Sequence, residues 1–234
     1  MKFFTLLFFF TLISYAQINS GCIEYKVNFA FEDSKVKNID ATGFVEAAIT
    51  GSKNIIFSLN FNENYSCFKY NDRGIKSYEE EIALIFTNAE NICFTDIKNK
   101  LNYFEISENK IFKKGEFILI DSIKSNWTIT NETKIIDKYT CYKAKLTIDK
   151  SNSQTKKDVI VTAWFSPMLP YSFGPNGFSG LPGLILELYV NKTIFTVNKI
   201  SIFKNEEIYK PSLGKEINFE NYKKIIVERT PNFE

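Results

Sequence analysis

Residues 22–31 have the sequence CIEYKVNFAF, in which every second side chain is apolar. In an extended chain, successive side chains point to opposite faces, so this period of two places all the apolar residues on one face. The same alternation recurs at 55–61 and at 142–148. Such segments are typical of antiparallel strands with one face in a core and the other in water.

Seven segments with a weaker pattern, separated by polar connections, add to the predicted strands. They lie at 92–97, 101–106, 117–121, 127–130, 159–165, 184–190 and 194–203. Their number and spacing predict a mainly β fold, an antiparallel meander that forms an open half-barrel or a sandwich.

One or two short helices are expected beside the strands. The segment 77–86 is compatible with a helix or a strand. At 219–229 the C-terminal helix has Asn218 available as its N-cap, with Phe219, Tyr222 and Ile226 on one stripe. The chain shows no repeat, linker or break in composition, so residues 17–234 are predicted to form a single domain.

The N-terminal segment is predicted to be a signal peptide, residues 1–16. Lys2 precedes the apolar run FFTLLFFFTLI, and small residues at Ser14 and Ala16 suit cleavage before Gln17. The run is too short to span a bilayer, since about 20 residues are needed. The mature chain is therefore expected in the periplasm or outside the cell. Lipid anchoring at Cys22 is the disfavoured alternative, because the residues before it do not complete a lipoprotein box.

The chain contains four cysteines, Cys22, Cys67, Cys93 and Cys141. An exported protein meets an oxidising environment in which disulfides persist, and four cysteines allow two bridges in three connectivities. The alternative is that some of them are small buried apolar residues. No close Cys pair is present, which argues against a zinc site.

Residues 164–190 contain four of the six prolines and four of the ten glycines. The sequence GPNG at 174–177 is a turn signature, and LPGL at 181–184 predicts a type II turn with a positive φ at Gly183. A connection this long is more often functional than accidental, although it could also plug the end of a barrel. The candidate binding residues are Trp164, Pro167, Phe173, Gly174, Pro175, Phe178, Gly180, Leu181, Pro182, Gly183, Leu184 and Ile185.

The hexapeptide Gly180–Ile185 resembles the motif that names the GLPGLI family. AWFSP at 163–167 and FGP at 173–175 are similar to that family's aromatic and Gly-Pro elements, in the same order. Trp127, the segment IDKYTCYKA at 136–144 and the start SG–IEY at 20–25 extend the resemblance over most of the chain. One departure is Asn176-Gly177, where the family often has an aromatic residue.

The resemblance implies an exported protein of Bacteroidota, often encoded beside outer-membrane receptors, with no established reaction. A TonB-dependent-type receptor or another envelope protein is therefore the partner that it suggests. It transfers no catalytic residue to this sequence.

The residue content opposes most catalytic classes. The chain has no histidine, which removes Ser-His-Asp triads, HExxH sites and His-ligated metals. It also lacks glycine-rich nucleotide motifs and a nucleophile elbow. A net charge of +2 with scattered lysine pairs gives no concentrated basic face for nucleic acid. No cofactor or metal is predicted.

Three functional hypotheses from different classes remain. The first is a non-catalytic binding or carrier module of the cell envelope, which holds an apolar ligand or a lipidated or protein partner in an apolar cavity. The second is an outer-membrane assembly protein that docks through the loop 167–183 and has a filled core. The third is a histidine-free hydrolase with two converging carboxylates.

The isolated Glu187 within 184–190 is expected to mark the solvent face of a strand.

Overall fold

The computed structural model describes residues 20–31, 39–149, 158–203 and 207–230. The predicted signal peptide at 1–16 lies outside these residues. The strands are β1 (Ser20–Phe29), β2 (Ile56–Asn62), β3 (Tyr65–Tyr70), β4 (Ile92–Asp96), β5 (Leu101–Glu105), β6 (Phe117–Ser122), β7 (Thr128–Ile136), β8 (Tyr139–Ile148), β9 (Val159–Ser166), β10 (Leu184–Val190), β11 (Thr193–Phe203) and β12 (Lys215–Asn218). The helices are α1 (Ile39–Ser52), α2 (Tyr78–Thr87) and α3 (Phe219–Arg229).

All twelve strands belong to one open sheet, in the order β12-β6-β5-β4-β3-β2-β1-β11-β10-β9-β8-β7. The strand quoted first, β1, is central and pairs with β2 on one side and β11 on the other. Each side continues as a meander of antiparallel neighbours, and only β12 pairs in parallel, with β6. The predicted mainly β fold with an unclosed antiparallel meander is confirmed.

The sheet is strongly curved. Phe68 on β3 and Phe195 on β11 lie three strands apart, which would separate them by about 14 Å in a flat sheet. Their ring centroids are nevertheless 5.7 Å apart. The concave face holds the main core, in which Ile23, Tyr25 and Val27 of β1 are almost fully buried. The alternation of β1 therefore faces this core as the sequence predicts.

The segment 77–86, for which the sequence allowed a helix or a strand, forms helix α2. Ser77 and Glu80 form a reciprocal capping box, because the Glu80 backbone N–H donates to Ser77 Oγ and the Ser77 N–H donates to Glu80 Oε2. The C-terminal helix α3 is confirmed, with Asn218 accepting a hydrogen bond from the Asn221 N–H at 2.9 Å. None of its residues is fully buried.

Helix α1 was not predicted, since its sequence contains two glycines and has no clear apolar stripe. Its position depends on tertiary packing. A Cβ atom at Gly51 would lie 1.9 Å from the carbonyl oxygen of Glu79, so only glycine lets α1 approach α2 this closely. None of the described helices is long and apolar enough to cross a membrane.

Candidate functional site

The loop 167–183 connects β9 to β10 and forms its tip at the GPNG sequence. Asn176 and Gly177 have φ values of 51° and 77°, and the Phe178 N–H donates to the Pro175 carbonyl at 3.0 Å. Positive φ at both central residues is what a type I′ turn requires, and Asn-Gly is the pair that adopts it most readily. The predicted turn is therefore present.

The predicted type II turn at 181–184 is wrong in its hydrogen bonding. The Gly183 N–H donates to the Leu181 carbonyl, and the Leu184 N–H donates instead to Leu169 at 2.9 Å. The positive φ predicted for Gly183 is present, at 158°. A Cβ atom there would lie 2.2 Å from the Ser166 carbonyl oxygen, so the chain passes against β9 too closely for any other residue.

Most of the loop is buried against the concave face of the sheet. Phe173 and Leu181 are each 1% exposed, and Leu169 is 7% exposed. The loop also places the ring of Tyr171 4.7 Å from that of Phe61 on β2. These side chains fill the interior that an apolar ligand would otherwise occupy. The remaining buried motif residues are Gly174, Pro175, Gly183, Leu184 and Ile185.

Two side chains from outside the loop donate to its backbone, and one side chain of the loop donates to the backbone beyond it. Asn102 Nδ2 on β5 donates to the Gly177 carbonyl at 3.1 Å, and Trp127 Nε1 donates to the Ser179 carbonyl at 2.9 Å. At the tip, Asn176 Nδ2 donates to the carbonyl of Asn88, which caps α2. A buried loop has no neighbouring strand to donate hydrogen bonds to its carbonyl groups, so the side chains of Asn102 and Trp127 donate them instead. The three hydrogen bonds also tie the β9–β10 side of the curved sheet to β5 and α2.

The end of the hexapeptide is part of the core of the sheet. The Ile185 N–H donates to the Phe173 carbonyl, and the buried Tyr25 hydroxyl on β1 donates to the Ile185 carbonyl at 2.6 Å. Burial raises the pKa of Tyr25 far above its ordinary value, so it acts only as a neutral donor. Gly174 is required beside this contact, because a Cβ atom would lie 2.7 Å from Ile185.

One face of the loop remains exposed, and we call it the exposed ridge: Pro167, Met168, Pro170 and Pro182. Met168 is 65% exposed. The close approach of Gly183 to Ser166 and Pro167 brings the two ends of the loop together at this ridge. Of the candidate residues, Gly180 is also exposed, whereas Phe178 is half-buried and packs edge-on against Trp127.

Trp164 does not join the loop residues, because it lies on the opposite face of the sheet from the core residue Phe165. There Lys134 Nζ lies 4.4 Å from the centroid of its ring and 2.5 Å from Glu187 Oε1. Glu187 is only 8% exposed, so the expectation that it faces solvent is wrong. The pKa of the nearby Tyr189 is raised to about 12, mainly because burial removes hydration and also because Tyr189 hydrogen-bonds to Glu187.

The four cysteines lie on β1, β3, β4 and β8. Cys93 and Cys141 are buried free thiols, and burial raises the pKa of Cys141 to about 11. Cys22 and Cys67 both oppose Asn60 from either side of β2. Two strand spacings put their Cα atoms about 10 Å apart, beyond the roughly 7 Å that a disulfide spans. This register opposes a Cys22–Cys67 bridge, and every other pairing would require Cys93 or Cys141, which are free thiols in this structure.

Among the described residues, no group of three or more Cys, Asp or Glu side chains could hold a metal ion. The contacts that fix the loop were missed from the sequence, since Tyr25, Asn88 and Asn102 are each more than 70 residues from their partners. Only Trp127 carried a signal, as part of the resemblance.

A family model described as "Protein of unknown function (Porph_ging)" matches residues 147–187. This stretch extends from the end of β8 to Glu187 and contains the whole loop. A search of curated proteins finds no match to the chain.

Two crystal forms of PNGF-II have a similar fold. The P21 form aligns with a TM-score of 0.55 and 14% identity over 90% of this chain and 34% of its own. The C2 form aligns with a TM-score of 0.53 and 14% identity, over 90% of this chain and 33% of its own. At this identity the likeness shows the fold alone. The chain spans about a third of the length of the PNGF-II chain that it matches.

Proposed function

We propose that this chain is an exported, non-catalytic binding module of the cell envelope, of the GLPGLI type, which docks a protein partner through the exposed ridge. The observation that carries the proposal is the division of the loop into two faces. One face fills the core with Leu169, Phe173 and Leu181, and the other presents Met168 and three prolines to solvent.

The filled interior favours a protein partner over an apolar ligand held inside the sheet. Sites for small apolar ligands are concave and preformed. Here the concave face already packs against the loop side chains, and the ring of Phe61 contacts Tyr171. To open a cavity for a ligand, the loop would have to move away from the sheet and lose the hydrogen bonds from Asn102 and Trp127.

The surface beside the ridge also suits a protein partner. Ser166 Oγ, which precedes Pro167, donates to the Thr140 carbonyl, and Thr140 pairs with Ile135 on β7. Ile135 is 74% exposed, so β7 presents an apolar side chain to solvent at the strand position that pairs with Thr140. Strand β7 ends the sheet, and its outer edge pairs with no strand in the described part of the chain. Exposed edges are common sites for the addition of a partner's strand.

The envelope location rests on the predicted signal peptide and on the resemblance carried by Gly180–Ile185. The family match over 147–187 is compatible with it. A TonB-dependent-type outer-membrane receptor is the partner class that the resemblance implies. The hexapeptide would then serve the interface indirectly, because Gly183 passes closely against Ser166 and Pro167 and so fixes the ends of the ridge.

The substitution Met168→Asp tests the proposal in the mature protein, expressed in its own cell envelope. A charge in the centre of an apolar contact is expected to reduce recovery of the cross-linked envelope partner on the order of tenfold or more. Leu213→Asp is the matched control, since Leu213 is 70% exposed and lies in a different segment. It is expected to leave recovery unchanged.

Native mass spectrometry of the same wild-type preparation distinguishes the alternatives. A membrane receptor recovered with the wild type and lost with Met168→Asp supports docking at the ridge. A bound lipid with no protein partner would contradict it and favour the carrier hypothesis. Equal recovery from Met168→Asp and Leu213→Asp would place the interface elsewhere.

A further inference from the structure

A cleft of about 690 Å³ lies at the ends of β3, β4 and β5 beside α2 and shares no lining residue with the exposed ridge. Its volume is within the range of roughly 300–1,000 Å³ that is usual for small-ligand sites. Five carboxylates and three lysines line it together with an apolar floor. The carboxylates belong to Asp72, Glu81, Glu90, Glu105 and Glu108, and the ammonium groups to Lys69, Lys76 and Lys114.

The register of three neighbouring strands arranges part of this lining as a row. Phe68 pairs with Cys93, so the next residue on β3, Lys69, is opposite Ile92. Ile92 in turn pairs with Glu105 on β5. With strands about 4.8 Å apart, a cation and an anion flank an apolar residue, with their backbones separated by about 10 Å. The row therefore has a positive end, an apolar centre and a negative end.

Glu90 strengthens the negative end of the row. Its carbonyl accepts a hydrogen bond from Ser107 Oγ at 2.7 Å, and Asn91 Oδ1 accepts one from the Ser107 N–H at 2.8 Å. These bonds hold the residues before β4 beside those after β5. As a result Glu90 and Glu105 lie at the same end of the cleft.

Most of the charged groups in the cleft have no partner among the residues that the structure describes. Lys76 pairs with Asp72 at 3.2 Å. Within the described ranges, the side chains of the others make no hydrogen bond or ion pair: Lys69, Glu81, Glu90, Glu105, Glu108 and Lys114. Glu90 is exposed at the rim, but the adjacent walls remove part of its hydration, which raises its pKa. A ligand cation would compensate for that lost hydration.

The floor of the cleft is apolar. Ile106 is 2% exposed and Leu84 is 7% exposed, whereas Ile85 of α2 is 58% exposed at the edge. An apolar side chain of a ligand can therefore be covered between α2 and the strand ends. Burial of apolar surface contributes about 25 cal/mol of binding free energy per Å².

We propose that this cleft binds a short zwitterionic peptide with a net positive charge and an apolar side chain. Its ammonium or guanidinium group lies beside Glu90 and Glu105, its apolar side chain covers Ile92, and its free carboxylate lies beside Lys69. The excess of carboxylates over lysines in the cleft favours the positive net charge. The site is independent of the docking surface in the proposed function.

The cleft is better suited to binding than to hydrolysis. Catalytic carboxylates are held within a few tenths of an ångström by hydrogen bonds from surrounding groups. The carboxylates of Glu90 and Glu105 receive no such bonds within the described chain. Groups that are free to move can follow a charged ligand, whereas they cannot maintain the geometry of a reaction.

Nuclear magnetic resonance titration of the folded, ¹⁵N-labelled mature chain tests the proposal with defined probes. The tripeptide Leu-Lys-Leu, with free termini, is expected to shift the amide signals of β4, β5 and α2. It is expected to bind on the order of tenfold more tightly than Leu-Glu-Leu, because only the first carries net positive charge. The double variant Glu90→Gln and Glu105→Gln is expected to remove this preference, and Glu63→Gln, on the β2–β3 turn, to retain it.

A second variant tests the positive end of the row. Lys69→Gln is expected to weaken the binding of Leu-Lys-Leu several-fold. The binding of the same peptide with an amidated C-terminus is expected to be unchanged, since that peptide has no carboxylate to pair with Lys69. Lys69 and Glu90 are exposed, Glu105 is half-buried, and none of the three has a partner within the described chain, so the spectra are expected to remain those of the folded chain. Equal binding of the lysine and glutamate peptides, or shifts outside the cleft, would overturn the proposal. An unchanged preference in the double variant would do the same.

Discussion

The loop 167–183 and helix α3 differ in a way that reverses the usual relation between regular structure and burial. The loop contains no α-helix or strand, only the tight turn at Pro175–Phe178, yet Phe173 and Leu181 are almost completely buried. Helix α3 is eleven residues long and regular, yet none of its residues is fully buried. Backbone regularity therefore does not indicate which segment the core depends on.

The difference follows from where each segment finds its hydrogen bonds and contacts. A helix satisfies its own backbone, so α3 needs only a few attachments, such as Tyr222 stacked on Phe112 at 5.4 Å. A buried loop must use donors from elsewhere, here Asn102 and Trp127. The loop is coupled to β5 and to Trp127, whereas α3 is attached to the segment before β6 through Phe112 and Glu116.

The largest effect is expected from Gly183→Ala. The new Cβ atom would lie 2.2 Å from the Ser166 carbonyl oxygen, at a φ of 158° that other residues rarely adopt. We expect a loss of more than about 4 kcal/mol in the free energy of unfolding, or no folded protein. Urea denaturation measures it. An unchanged midpoint would mean that the loop does not pass against β9.

Gly43→Ala is the matched control for this substitution. Gly43 lies within α1, and nothing is within 4 Å of the position of its Cβ atom. The same chemical change is expected to stabilise the chain by about 0.5–1 kcal/mol, since alanine restricts the unfolded chain and favours the helix. Changes in stability of opposite sign at the two glycines would confirm that close packing around Gly183, and not the loss of a glycine as such, causes the destabilisation.

An intermediate effect is expected from the ion pair between Lys134 and Glu187, on the face of the sheet opposite the loop. Lys134→Ala leaves the carboxylate of Glu187, which is 8% exposed, without its cation. The expected cost is about 2 kcal/mol, because a buried charge without a partner is poorly solvated. Thermal unfolding at neutral pH measures it.

Lys143→Ala is the control, since Lys143 also lies over Trp164 but pairs with the exposed Glu132. It is expected to cost less than about 1 kcal/mol. Equal losses in the two variants would show that the burial of Glu187 contributes nothing to the stability of the fold.

The smallest effect is expected at α3. Two hydrogen bonds from the Arg229 guanidinium lower the pKa of Glu116 from its ordinary 4.5 to about 2. Because the folded pKa is the lower one, this attachment is complete at neutral pH and is lost as the pH falls from about 4.5 through about 2. In Arg229→Ala, nuclear magnetic resonance titration should find the pKa of Glu116 closer to 4.5, with the midpoint of global unfolding unchanged. A cooperative loss of the whole sheet in that variant would contradict the contrast between α3 and the loop.

The sequence predicted the fold well where the signal is local. The alternation in β1, β2 and β8, the Asn218 cap and the Asn-Gly turn all depend on residues within one strand or turn. It did not predict β3, where the six residues Tyr65–Tyr70 alternate only weakly, or the parallel strand β12. Both depend on a neighbouring strand for their hydrogen bonds.

The candidate site divides in the same way. The sequence by itself determined that the Pro- and Gly-rich segment 167–183 is a connection with a restricted backbone, because positive φ and proline ring geometry are properties of single residues. Only the tertiary structure decided that this connection fills the concave face, that Trp164 lies on the other face and that Glu187 is buried beside Lys134. Burial and charge pairing depend on the curvature of the sheet, which brings together residues that are distant along the chain.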